Sequence, residues 1–159
     1  PFPEQEMIEV LGGVENMLEC RAAVKNIIEL FKKFYSDSYG KLVPVRAELV
    51  VGDEELGLCG MVDQLFWNEK SGELEIWDWK TNKEIKEVNK WQQFKEPLGH
   101  LDVCELNTYS LQLSLYKHII EKNTNLKLGK SYIVWLNENN DTYKVFKCHD
   151  FEKEVKSIL

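Results

Sequence analysis

The sequence predicts an α/β domain, a central sheet flanked by helices, on three observations. Apolar residues recur at helical spacing through 14–35. Runs rich in β-branched and aromatic residues follow between 43 and 81, the last two joined by a short polar loop. A second helical segment, 107–122, is apolar nearly all round and leads to two further strands.

In the first helix the recurring positions are Met17, Val24, Ile28, Phe31 and Tyr35, and Ser36-Asp37-Ser38-Tyr39-Gly40 ends it. Strands are expected at 43–51, 58–67 and 74–81. Glu69-Lys70-Ser71-Gly72, between the second and third, has the length and composition of a hairpin loop. If that loop is tight, Asn68 pairs with Glu73 and Trp67 with Leu74, and the ladder carries Asp63 directly across from Asp78. Cβ atoms in such pairs lie roughly 5 Å apart. Alternation puts Lys80 on the Asp78 side of the strand and Trp77 and Trp79 on the other. Asn107 or Thr108 caps the second helix, and its apolar circumference places it against the sheet. Strands at 130–136 and 142–147, split by the turn Asn137-Glu138-Asn139-Asn140-Asp141, and a short helix at 151–158 complete the chain.

Two carboxylates facing each other repel unless something offsets them, and a hard divalent cation bound by their oxygens is the usual remedy. The alternative for Asp63, Asp78 and Lys80 is a solvated sheet face, because Asp-x-Lys is short enough to recur by chance. Leu74, Ile76, Trp77 and Trp79 argue against it: they make the strand apolar on both faces, where an unpaired charge is costly. Glu48 joins this face under either turn considered. A loop at 54–57 sets it across from Asp63, and a loop at 52–55 slides it two pairs away. Its alternative is a surface glutamate on an edge strand. Gln112 and Tyr116, four apart, share one face of the second helix. A buried glutamine needs partners, and Tyr116 is either part of the site or an ordinary core aromatic.

Gly60-Met61-Val62-Asp63, Asp78-Trp79-Lys80-Thr81 and Gln112-Leu113-Ser114-Leu115-Tyr116 reproduce, in order, the Gly-x-x-Asp, Asp-x-Lys-Thr and Gln-x-x-x-Tyr motifs of one group. Over about residues 48–116 the chain resembles the PD-(D/E)XK nuclease superfamily, and within it the RecB-like exonuclease branch. The resemblance implies a restriction-endonuclease-like αβββαβ core with a central mixed sheet. It also implies Mg²⁺- or Mn²⁺-dependent hydrolysis of DNA phosphodiesters to 5′-phosphate and 3′-hydroxyl ends. Asp63 and Asp78 would be metal ligands, Glu48 the acidic residue that the family carries on the preceding strand, and Lys80 the group that positions or deprotonates the attacking water. Gln112 would orient the lysine or a backbone group, with Tyr116 and Thr81 supporting the site beside the DNA. DNA with single strands or free ends, a helicase or another recombination partner, roles in repair, recombination or phage DNA processing, and a cytoplasmic, bacterial or phage setting come with the same resemblance. Two rivals stand beside it: an endonuclease of the same superfamily, and a binding or assembly module that does not cleave. The second is expected to have lost a ligand or the lysine.

The composition of 159 residues, 43% of them hydrophobic, suits one domain over 1–159. The chain starts at Pro1 without a methionine, so a trimmed or fragmentary domain is expected. No apolar run approaches the ~20 residues of a membrane span, and no signal peptide is visible. Cys20, Cys59, Cys104 and Cys148 are scattered, which supports neither a zinc site nor an iron–sulfur cluster, and reduced, buried thiols are expected. His100, His118 and His149 lie downstream of Lys80 and do not match the N-terminal histidine of some family members. A net charge of −7 and an isoelectric point near 5.1 run against a generic DNA-binding surface. Acids at a metal site account for part of it, and Lys80, Lys83, Lys86, Lys90 and Lys95, interleaved with Trp91 and Phe94, form either a strand-following surface or a merely solvated connection. The acidic balance implies weak binding by this domain alone, with grip supplied by a partner or a tethered module.

Overall fold

The computed structural model describes Glu6, Glu9, Val10 and residues 12–159; the part of the expected 1–159 domain around Pro1 lies outside the described residues. Helix α1 spans Val14–Ser38. Ile27, Leu30, Phe31, Phe34 and Tyr35, spaced three and four apart, form the stripe that meets the sheet. Val24 and Ile28, expected on that stripe, are exposed. Val24 projects on the side of Phe31 and Tyr35 but lies before Ile27, where the contact with the sheet begins, and Ile28 sits at the edge of the stripe.

Five strands make one sheet: β1 (Leu42–Asp53), β2 (Leu58–Asn68), β3 (Glu73–Lys80), β4 (Leu128–Trp135) and β5 (Lys144–Lys147), in spatial order β1-β2-β3-β4-β5. The β3/β4 pair is parallel and the others antiparallel. Parallel neighbours need a crossover, which α2 (Glu105–Asn123) provides; α3 (Glu152–Ile158) follows β5. The β2/β3 hairpin closes as expected, with Asn68 opposite Glu73 and Trp67 opposite Leu74. Asn68 Oδ1 accepts the amides of Lys70 and Ser71 at 2.9 and 3.1 Å, and Gly72 takes the left-handed φ of 68° that the loop requires. The β1/β2 turn lies at 54–57, because Asp53 pairs with Leu58.

The central strand β3 is covered on both sides. Trp77 and Trp79 pack with Phe34, Phe66 and Val134 under α1. Ile76 packs with Val62, Leu65, Leu113, Ile119 and Ile133 under α2. Each fully buried side chain of that size contributes about 2 kcal/mol over exposure. The expected caps of α2 sit instead within its first turn. Cys104 is the N-cap, the Asn107 amide donates to Asp102 O at 2.9 Å, and the Thr108 hydroxyl donates to Cys104 O at 2.9 Å. Both side chains are used to tie the incoming segment to the helix. All four cysteines are free, with Cys104 and Cys148 buried; Cys20 and Cys59 are exposed, contrary to expectation, on the outer part of α1 and near the start of β2.

At the far end of the sheet Asp53, 5% exposed, joins the β1/β2 turn to α2. Its Oδ2 meets Lys122 Nζ at 2.7 Å and its Oδ1 accepts the Leu56 amide at 3.0 Å. The ammonium beside it, and then that amide, hold its carboxyl below the usual range. A carboxylate with a depressed folded pKa adds stability above the unfolded value of about 3.9, and loses it as pH falls through the folded one. Asp53→Asn is therefore expected to lower the Tm at pH 7 by more than at pH 3. Thermal melts at the two pH values check this, and an equal decrease would assign the loss to the turn hydrogen bond alone.

Candidate active site

The β2/β3 ladder runs from Asn68↔Glu73 to Gln64↔Trp77, so Asp63 and Asp78 occupy the next rung. Strand alternation breaks at this point. Val62 and Leu65, three apart, both pack on the α2 side, so β2 is irregular between them. Asp63 Oδ2 there accepts the Trp79 amide at 2.9 Å, a carboxylate taking a donor from the neighbouring strand. The irregularity reaches β1 as well. Glu48, in register opposite Asp63 between Ala47↔Gln64 and Leu49↔Val62, has a φ of 49°. For a glutamate such a backbone costs on the order of 1 kcal/mol and clusters at functional sites.

Asp78 is 2% exposed. Burial pushes its carboxyl above the usual range; the Lys80 ammonium opposes this, and the adjacent Asp63 carboxylate reinforces it. Its buried Oδ2 contacts the Lys80 ammonium and accepts no other hydrogen bond. Glu75, 1% exposed and on the opposite face, provides the contrast: Asn68 Nδ2 donates to one of its oxygens at 3.0 Å and Trp77 Nε1 to the other at 3.1 Å. The fold satisfies its structural carboxylate completely and leaves Asp78 with one cation.

Lys80 is held from a second direction. Its Nζ lies 4.6 Å from the centroid of the Tyr109 ring, over its face. Asn82 Nδ2 donates to the Tyr109 hydroxyl at 2.7 Å, while Asn82 O accepts from Trp135 Nε1 at 2.7 Å and from Asn137 Nδ2 at 2.9 Å. This network fixes the chain as it leaves β3. Sequence reasoning counted Tyr109 only as an apolar helix position and did not single out Asn82; the signal for Tyr109 was its place one turn before Gln112. Cys148 also lies near the acids. Burial, the largest cause, pushes its thiol up to about 12, with Asp78 acting in the same direction and Ser110 against it, so it stays protonated and is no nucleophile.

Gln112 Nε2 donates to the Tyr116 hydroxyl at 2.9 Å, so the third motif is internally bonded, and Tyr109 rather than Gln112 faces Lys80. Tyr116 in turn explains Gly60. A Cβ at Gly60 would stand 2.3 Å from Tyr116 Cε1 and 2.6 Å from its hydroxyl oxygen, so only hydrogen fits. The first and third motifs are thereby locked in direct contact. Thr81 is exposed just past β3. Glu48 is exposed, and among the described residues no group of three or more His, Cys, Asp or Glu could hold a metal ion.

The donor set suits a divalent cation all the same. Two adjacent carboxylates, one with a buried oxygen whose sole partner is a lysine, match the Mg²⁺ habit of taking one or two protein carboxylates and filling its sphere with water and substrate phosphate. The model of the PD-(D/E)XK nuclease superfamily matches residues 5–157. Comparison with curated proteins returned no significant match.

Gly60→Ala is expected to destabilise the fold by about 1–3 kcal/mol through overpacking. In a Tyr116→Ala background the same substitution should cost much less, as a chemical-denaturation cycle would read; additive costs would mean that the two residues do not constrain each other.

Proposed function

The chain belongs to the PD-(D/E)XK nuclease superfamily, and from that premise we propose that it is a divalent-metal-dependent exonuclease hydrolysing DNA phosphodiesters. The observation that carries this reading is the meeting of Asp63, Asp78 and Lys80 at one end of the central strand. Asp63 and Asp78 would hold Mg²⁺ or Mn²⁺, with Glu48 reaching it directly or through water. When bound there, the cation polarises the scissile phosphate and lowers the pKa of a water. Before a cation arrives, the Lys80 ammonium offsets the Asp78 carboxylate and opposes part of the effect of its burial. With the carboxylate engaged elsewhere, the same ammonium, supported by the Tyr109 ring, is free to orient the attacking water and stabilise charge developing on the phosphate.

An intact ligand pair and lysine argue against the non-cleaving module, which would be expected to lack one of them. The choice of exonuclease over endonuclease rests on the Gln112-x-x-x-Tyr116 motif and its contact with Gly60. A net charge of −7 suits an enzyme to which a helicase or another recombination partner delivers the strand.

Linear and circular DNA, single- and double-stranded, incubated with Mg²⁺, Mn²⁺ or EDTA, test the reading; digestion of closed circles would contradict the exonuclease assignment. Asp78→Asn is expected to abolish cleavage at an unchanged or higher Tm, since it relieves the like-charge repulsion with Asp63 and the cost of burying the carboxylate. Full activity in that variant would remove Asp78 from the mechanism. Lys80→Ala should reduce turnover by at least about a hundredfold while calorimetry still detects Mn²⁺ binding. Lost binding would make Lys80 a determinant of the metal site instead of a partner of the water.

A further inference from the structure

Trp91 is 97% exposed, the most solvent-accessible of the large apolar side chains among the described residues. An indole left in water forgoes the burial of some 150–250 Å² of surface, an arrangement that calls for an explanation. A slack loop is not the explanation. The Asn89 amide donates to Asp102 Oδ2 at 3.1 Å, Asn89 Nδ2 to Val103 O at 2.8 Å, and the Val103 amide to Gln92 O at 2.8 Å. Asn89 Oδ1 accepts the amide of Trp91 itself at 3.2 Å, and Gln93 bridges Asp102. The segment is also tied to the start of α2, where Glu105 Oε2 accepts the Lys86 amide at 3.2 Å and Lys86 O accepts the Leu106 amide at 3.1 Å. The backbone is braced on both sides of an indole that points into solvent.

The surroundings specify what the indole meets. A shallow cavity of about 400 Å³ is lined by Lys86, Val88, Asn89, Lys90 and Trp91. Residues 80–95 carry five lysines against two glutamates in a chain whose net charge is −7. Lys86 pairs with Glu84 at 2.9 Å, whereas Lys83, Lys90 and Lys95 enter no ion pair among the described residues. An exposed aromatic face on a braced backbone, beside unpaired ammonium groups, is the combination that binds an unpaired polynucleotide strand, with the ring stacking on a base and the cations meeting phosphates. Duplex DNA hides its base faces and offers the ring nothing.

Resting on the nuclease reading, we propose that Trp91, with Lys83 and Lys90, is the contact by which the enzyme takes a single-stranded DNA segment beside the Asp63/Asp78 site. The segment carrying Trp91 starts where β3 delivers Lys80, and Asn82 and Lys86 fix its course over the beginning of α2. The contact selects unpaired DNA by stacking, without reading the base edges.

Titration of the full chain with oligo(dT) in EDTA, followed by intrinsic fluorescence, tests the proposal. Trp91→Ala is expected to weaken binding about tenfold, and Trp91→Phe to retain affinity within about threefold while losing most of the quenching. Lys83→Ala with Lys90→Ala should flatten the dependence of log K on log salt by about 1.4. Parent affinity in Trp91→Ala, undiminished quenching in Trp91→Phe, or equal competition by blunt duplex would overturn it. The full exposure of Trp91 leaves folding unaffected, which circular dichroism checks. Because the titration reads binding without a divalent cation, its failure would leave the cleavage assignment standing, and a failure of cleavage would leave this result interpretable.

Discussion

A carboxylate sealed between two hydrophobic cores is the constraint around which this molecule is arranged. Asp78 sits on the middle strand of the sheet, 2% exposed, with Asp63 beside it. Removing a charge from water costs several kcal/mol unless a partner compensates. Glu75, three residues earlier and on the other face, is compensated by two neutral donors and is a settled structural feature. Asp78 is compensated only by Lys80, two residues later on its own strand, so its balance depends on a single ammonium.

The rest of the fold supplies what that arrangement needs. The parallel β3/β4 pair requires a crossover, and the crossover helix brings the Tyr109 ring under the lysine and Tyr116 against Gly60. The Asn82 carbonyl gathers Trp135 and Asn137, which fixes the exit of β3 and through Tyr109 the position of the ammonium. On the other side of the acids both edgeward strands depart from regular geometry at one level, Asp63 through its bond to the Trp79 amide and Glu48 through its left-handed backbone. Among the described residues the one non-glycine with a left-handed backbone thus lies at the rung where the acids meet, while the sheet's register also shifts at Pro44/Arg46 and at Leu74/Ile76.

What could be read in advance followed from periodicity and turn chemistry. The Asn68 loop allowed the hairpin register to be counted, and the register placed Asp63 across from Asp78; alternation put the two tryptophans on the opposite face, where α1 covers them. Features set by tertiary contact were not readable. Nothing in a glutamate's neighbours announces a φ of 49°, and period-two counting could not foresee the break between Val62 and Leu65. Tyr109 was hidden in a helix apolar on most sides, where a ring that supports a cation looks like one that fills a core. The α2 cap was misplaced because Asn107 and Thr108, good cap residues, bond to Asp102 and Cys104 from inside the first turn. On α1, Val24 and Ile28 followed the expected spacing, yet Val24 precedes the part of the helix that reaches the sheet and Ile28 lies at the edge of its buried stripe.

In this acidic protein Lys83, Lys90 and Lys95, on the segment between β3 and α2, are among the cations that no carboxylate engages among the described residues. Whether Asp63 and Asp78 share a cation is most directly measured by diffraction from crystals grown with Mn²⁺, using its anomalous signal. The account predicts a peak against the Asp63 and Asp78 carboxylates, with the Lys80 ammonium drawn away from Asp78. A lattice of ordered protein with no peak there, or with Mn²⁺ only at other acids such as Asp53 and Glu55, would contradict it.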